Sequence, residues 1–382
     1  MAGPSTSATR IAALLESDPD LGGGLVAALV LPDDVTLSDV LAGAYPLSAS
    51  DLVAAADALD VPVTVLSGSV PLDRHLGVSL RLGRVDGAAG VPADALTYVD
   101  VLLGHSAVLD SWLGPVESPL AGVAMHTDDF RKGAGEKSAD RVRRVLRLGS
   151  GPVGDLVGLV ERLGFPVVFR DLPEGLHGLN VRDERDGTPS RVVVVSTRDG
   201  WPRQRFTLAH ELCHALYDDP GQVIVDTVDH PEVLTELRAE AFARELLLPR
   251  RGLRQEWDGR APRVDLGVFA AQVMTRWGLS RDAVVRCLVE DGLATEEQTA
   301  PVSTARVAAL IARAGLTDAW AAVCGDEHTA SGSPLLVDRA TRAYGNGWVG
   351  AWVVAEILGA DLAATEAMLA AQGWLDPGSI GG

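Results

Sequence analysis

The stretch Phe206-Thr207-Leu208-Ala209-His210-Glu211-Leu212-Cys213-His214 carries the pattern H-E-x-x-H. On a helix, residues four apart share a face, so His210 and His214 can hold one metal ion between them. Glu211 stands about 60° round the helix from His214, beside the metal rather than on it. A carboxylate there serves as general base for a metal-activated water. Leu208, Leu212, Ala215 and Leu216 supply apolar positions, and neither Gly nor Pro interrupts the run before Pro220. The alternative is a chance pattern on a surface helix.

Two histidines and a water leave a tetrahedral zinc one ligand short. A third histidine in an H-E-x-x-H-x-x-G-x-x-H motif is excluded, because Tyr217 and Pro220 stand at the required Gly and His positions. The segment from Pro231 to Pro249 reads as a second helix, with Glu232, Glu236 and Glu240 spaced by four along one stripe. Such a stripe is either a ligand source or a solvated acidic face.

Arg205-Phe206-Thr207-Leu208-Ala209-His210-Glu211-Leu212-Cys213-His214, followed by Glu236-Leu237-Arg238-Ala239-Glu240-Ala241-Phe242-Ala243-Arg244-Glu245-Leu246-Leu247-Leu248-Pro249, resembles the ImmA/IrrE family of metallopeptidases. The family pattern is R-F-T-L-A-H-E-L-G-H and then E-x-x-A-N-x-F-A-x-x-L-L-x-P. Cys213 departs from its Gly and Glu240 from its Asn. The resemblance covers roughly residues 138–300. It implies Zn2+ as cofactor, His210, His214 and Glu236 as metal ligands, and Glu211 as catalytic base. It also implies a protein substrate, a helix-turn-helix transcriptional repressor cut in a stress or mobile-element response. Glu240, one turn after Glu236, is expected to orient a histidine from the second shell; spacing alone leaves open that it is the ligand instead. Cys213 reads as a small buried hydrophobe. Tyr217 and His177 are weaker candidates for oxyanion stabilisation, read as a core and a loop residue respectively. The rival reading is a non-catalytic, metal-sensing or antitoxin-like regulatory protein. The intact Glu211 argues against it. A general or digestive protease fits less well, given the flanking regions.

The expected fold is α+β. A gluzincin-like core holds a small three-stranded sheet (165–170, 176–181 and 191–196) against the H-E-x-x-H helix and the ligand helix. The β-branched run Val192-Val193-Val194-Val195 is the strongest strand signal, and as an edge strand Arg191–Ser196 would be a wall for an extended substrate. Helical regions flank the core. The stretch Leu47–Val63 resembles the later helices of a Cro/C1-type helix-turn-helix domain, which implies a degenerate, helix-turn-helix-like N-terminal region. The expected division is that helical domain at 1–114, a Pro- and Gly-bearing linker at 115–137, the peptidase domain at 138–300 and a helical domain at 301–382.

Three dispersed cysteines (Cys213, Cys287, Cys324) suggest no disulfide framework. No secretory leader is visible at the start, and the apolar run 21–32 is too short to span a bilayer. A cytoplasmic protein without membrane association is expected. The formal net charge is −19. Residues 1–90 hold four Arg, no Lys and eleven Asp or Glu. Phosphate binding needs cations, so direct DNA binding by this segment is not expected, and a protein-docking role or a fold relic is preferred. The basic residues Arg141, Arg143, Arg144 and Arg147 of a helix at 138–148 read as a solvated face or a docking site.

Overall fold

The computed structural model describes residues 6–374, apart from 18–20, 30, 33–34, 43, 46, 60–62, 64–65, 67–92, 128–130, 173, 175, 184–189, 218–222, 228–233, 261–264 and 326–327. Among these lie eighteen helices and four strands. The helices are α1 (Thr6–Ser17), α2 (Leu21–Ala28), α3 (Leu37–Leu41), α4 (Ala49–Ala58), α5 (Ala93–Leu113), α6 (Arg131–Val145) and α7 (Leu156–Arg162). Strands β1 (Val167–Arg170), β2 (Leu176–Asp183) and β3 (Ser190–Ser196) follow, then α8 (Trp201–Tyr217), β4 (Val223–Thr227) and α9 (Leu234–Leu247). The remainder is helical: α10 (Arg250–Arg260), α11 (Leu266–Trp277), α12 (Arg281–Glu290), α13 (Glu296–Thr304), α14 (Val307–Arg313), α15 (Thr317–Gly325), α16 (Pro334–Gly345), α17 (Ala351–Leu358) and α18 (Leu362–Ala371).

The chain divides into two compact units. The first comprises residues 1–89, 96–112 and 343–382, the second 90–95 and 113–342. In the first, α3 and α4 start with capping boxes, Thr36 with Asp39 and Ser48 with Asp51. Ile11, Leu14, Leu25, Ala55 and Leu59 form its core, and Trp352 packs against it. Buried His105 lies 2.7 Å from Glu356, whose other carboxylate oxygen accepts from the Val63 amide. These contacts join α17 to α5 and to Val63 within the first unit.

The second unit holds the sheet, in the order β1-β3-β2-β4. β3 pairs parallel with β1 and antiparallel with β2, and β4 adds a fourth strand antiparallel to β2. Val192 to Val195 are fully buried, as a run of four β-branched residues in a central strand requires. This corrects the expectation of β3 as a substrate wall: both of its edges are already paired. Among the described residues, the strands at the sheet's edges are β1 and β4.

The stretch 131–137, expected as linker, is the first half of α6. Gly133 and Gly135 lower its intrinsic helix propensity, but tertiary packing decides. A Cβ at Gly135 would overlap the Arg238 carbonyl oxygen, so the glycine lets α6 lie directly on α9. Two arginines of the expected basic face are spent on structure. Arg141 donates to the Ala124 carbonyl, and buried Arg143 donates to the carbonyls of Gly149, Leu246 and Gly151. No helix among the described residues is long and apolar enough to cross a membrane.

Candidate metal centre

Helix α8 begins at Trp201 with Pro202 in its first turn, where a missing N–H costs nothing. Its residues 207–215 are all buried, including His210, Glu211 and His214. One face packs on β2 and β3. Ala209, Leu212 and Cys213 join the main core, so Cys213 occupies the small-hydrophobe role expected of it.

Helix α9 brings Glu236 to the two histidines. His210 Nε2 lies 3.0 Å from Glu236 Oε2, His214 Nε2 lies 3.4 Å from Oε1, and the two Nε2 atoms are 3.1 Å apart. Among the described residues these three are the one His/Cys/Asp/Glu group gathered closely enough to hold a metal, with ligand atoms within 4.8 Å of one another. Burial works against the Glu236 charge, but hydrogen bonding and attraction to His210 and His214 prevail and hold its carboxyl well below the usual range. Three lone-pair atoms this close repel one another unless a proton or cation lies between them. Two imidazole nitrogens and one carboxylate oxygen are a donor set suited to a divalent transition metal, with a coordination position left over.

Glu240 goes elsewhere, which corrects the expectation that it orients a histidine. One helical turn displaces it about 6 Å along α9. Its side chain is 45% exposed and pairs with Arg286 of α12 at 3.5 Å. Glu232 lies outside the described residues. Tyr217 is also committed away from the chemistry. Its hydroxyl meets Ser138 Oγ at 2.8 Å and donates to the His126 carbonyl at 2.6 Å, while the Arg238 guanidinium lies over its ring. His177 lies on β2 rather than in a loop, with Nδ1 2.7 Å from Asp199 and Nε2 2.6 Å from Arg203, beside the start of α8.

Sequence reading missed what surrounds Glu211. Its turn rests on β2 through Gly178 and Asn180. A Cβ at Gly178 would come within 3.1 Å of Glu211 Oε1 and 2.5 Å of Thr207 Cγ2. The buried Asn180 amide donates to the Glu211 carbonyl at 3.1 Å and is itself held by Arg191 of β3 at 3.3 Å. The only sequence signal was a glycine at the centre of a strand.

His328 stacks on Phe169 with centroids 4.3 Å apart and meets Trp201 edge-on. The Gln204 side chain bonds both its N–H and its carbonyl, and Ser331 bridges to Phe169 of β1. The edge of β1 is therefore covered at that point by the chain itself.

No curated protein matches the chain. Residues 160–288 match the family model of the IrrE N-terminal-like domain, Peptidase_M78. That segment contains all four strands, the H-E-x-x-H helix and the helix bearing Glu236, and the match supports a peptidase domain over it.

Proposed function

We propose that the protein is a zinc-dependent endopeptidase of the cytoplasm that cleaves a helix-turn-helix transcriptional repressor. The observation that carries the metal reading is the convergence of His210, His214 and Glu236 within 4.8 Å. These three residues would hold Zn2+, which when bound supplies Lewis acidity toward water and the scissile carbonyl. Glu211, fully buried next to this group, takes the proton of the attacking water and returns it to the leaving amine. Asn180 anchors its main-chain carbonyl and Gly178 leaves room beside its side chain, which positions the residue for that role. The repressor as substrate rests on the family likeness.

The test is incubation of the purified protein with candidate repressors, with and without a chelator, alongside Glu211→Gln. Gln keeps the shape but cannot take the proton, so cleavage should fall by about 10²–10⁴-fold while metal content stays the same. Cleavage by the variant at the wild-type rate sinks the assignment of Glu211 as base; a wild-type protein that binds metal and cleaves no repressor leaves the non-catalytic, metal-sensing alternative in its place.

A further inference from the structure

The first unit presents a feature that hydrolysis does not use. Trp112, at the end of α5, and Trp348, after α16, stack with centroids 5.7 Å apart and planes 17° from parallel. Trp112 is 54% exposed and Trp348 41%. Two indoles so exposed on a surface are informative, because large aromatic rings gain most from burial and anchor interfaces. The turn bearing Trp348 is held in place. The Gly347 amide donates to the Tyr344 carbonyl at 2.8 Å, and the Trp348 amide donates to the Ala343 carbonyl at 3.0 Å. The Trp374 ring packs on the Gly345 backbone behind it. Such a pair is preorganised, so a partner meets little ordering cost.

Charge identifies the partner. The first unit has seventeen Asp or Glu against four Arg and no Lys, a formal charge of −13 out of −19 for the whole chain. The outer faces of stacked indoles carry the negative lobes of the ring quadrupole, which attract guanidinium and ammonium groups. Both the local and the summed fields therefore favour a cation and repel acidic proteins and nucleic acid. An Arg side chain suits both, because its planar head stacks on an indole while its charge is drawn by the unit's net negative charge.

We propose that the Trp112–Trp348 stack is a docking site for an Arg-bearing basic segment of another protein. Binding needs neither Glu211 nor a metal, so it goes beyond the peptidase reading and stands if that reading fails.

The test uses the full chain in the presence of chelator, which prevents turnover. Its probes are a decapeptide of alternating Arg and Ser and the corresponding Glu/Ser decapeptide, followed by calorimetry and tryptophan fluorescence. The Arg peptide should bind and perturb the fluorescence, the Glu peptide should not, and binding should weaken from 50 to 300 mM salt. Trp112→Ala/Trp348→Ala should raise Kd at least tenfold, and Trp112→Phe/Trp348→Phe should lie between it and wild type. Circular dichroism and thermal melts check both proteins; should the alanine pair not fold, the phenylalanine pair decides, and a wild-type Kd there overturns the proposal. Equal affinity for the two peptides, or for wild type and the folded alanine variant, also overturns it. So does sedimentation showing a wild-type dimer that the variants lose, since a second copy would then cover the stack.

Discussion

Gly178 of β2 leaves empty the volume that the Glu211 carboxylate of α8 borders. A methyl group there would meet Oε1 at 3.1 Å, Glu211 Cγ at 3.2 Å and Thr207 Cγ2 at 2.5 Å. The overlap with Thr207 forces that turn of α8 to shift, and Glu211, one turn on and already in tight contact, shifts with it. Gly178→Ala should therefore lower kcat by about 10²-fold through a misplaced base, with zinc affinity close to wild type because His210, His214 and Glu236 are untouched. Overpacking should also cost about 1–3 kcal/mol of stability. Steady-state kinetics with metal titration separate the two effects. An unchanged kcat in a metal-loaded variant would show that the base tolerates the shift.

The two glutamates of α9 make opposite predictions. Glu236→Ala removes a group that touches both histidines, so zinc affinity should drop by more than about 100-fold, beyond the usual loss for an outer-sphere partner. Glu240→Ala removes an exposed partner of Arg286, and affinity should stay within about twofold. Competition titration against a zinc chelator reads both. A large loss for Glu240→Ala would mean that α9 rotates when metal binds.

Why Glu236 and not Glu240 is instructive about what a sequence holds. Both lie on one stripe, and spacing could not choose between them; the crossing of α9 over α8 does. The grouping of His210, Glu211 and His214 was legible because i, i+4 spacing on a helix is a local property. The helices around it, and the three strands from 167 to 196, were legible for the same reason. The strand Val223–Thr227 was not read, although Val223-Ile224-Val225 is a β-branched run, because it is short and lies between two helices. Gly135 pointed the wrong way: in sequence a glycine signals a linker, whereas here it meets a neighbouring helix. Gly178 and Asn180 were illegible because the group they position lies more than thirty residues away.

Stability should depend on pH through Glu245. Burial raises its carboxyl to about 7 despite the hydrogen bond from the Arg250 amide and the attraction of Arg244; Glu136 and Asp291 nearby add to the rise. The buried carboxyl of Glu161 is shifted the same way, also mainly by burial. A raised folded-state value means that the folded protein holds a proton which the unfolded chain has already released. Stability from these groups is therefore greatest below the ordinary carboxyl value of 4.5 and declines as pH rises toward about 7. Glu245→Gln keeps an acceptor for Arg250 and removes the titration, and Arg244 retains Glu136 and Asp291 as partners. Its Tm should exceed wild type at pH 8 and nearly equal it at pH 5. An identical difference at both values would remove Glu245 as the source.

The position of β4 redirects the question of where an extended substrate lies. β3 is paired on both sides, and Ser331 already bridges β1 at Phe169. β4 pairs with β2 through Val225↔Leu179, Ile224↔Asn180 and Val223↔Val181, and among the described residues no strand flanks its other side. β2 is also the strand against which Glu211 rests, so a chain added to β4 lies two strands from the base. Along an edge strand in an antiparallel sheet, alternate residues turn their N–H outward. Of Ile224→Pro and Val225→Pro, one therefore deletes an outward N–H and the other a ladder bond to β2. The first should raise KM for the protein substrate about tenfold, equivalent to roughly one hydrogen bond, at nearly constant Tm. The second should lower Tm. Measuring KM and Tm for both variants identifies which is which without prior assignment. Two stable variants with wild-type KM would show that the substrate does not add to β4.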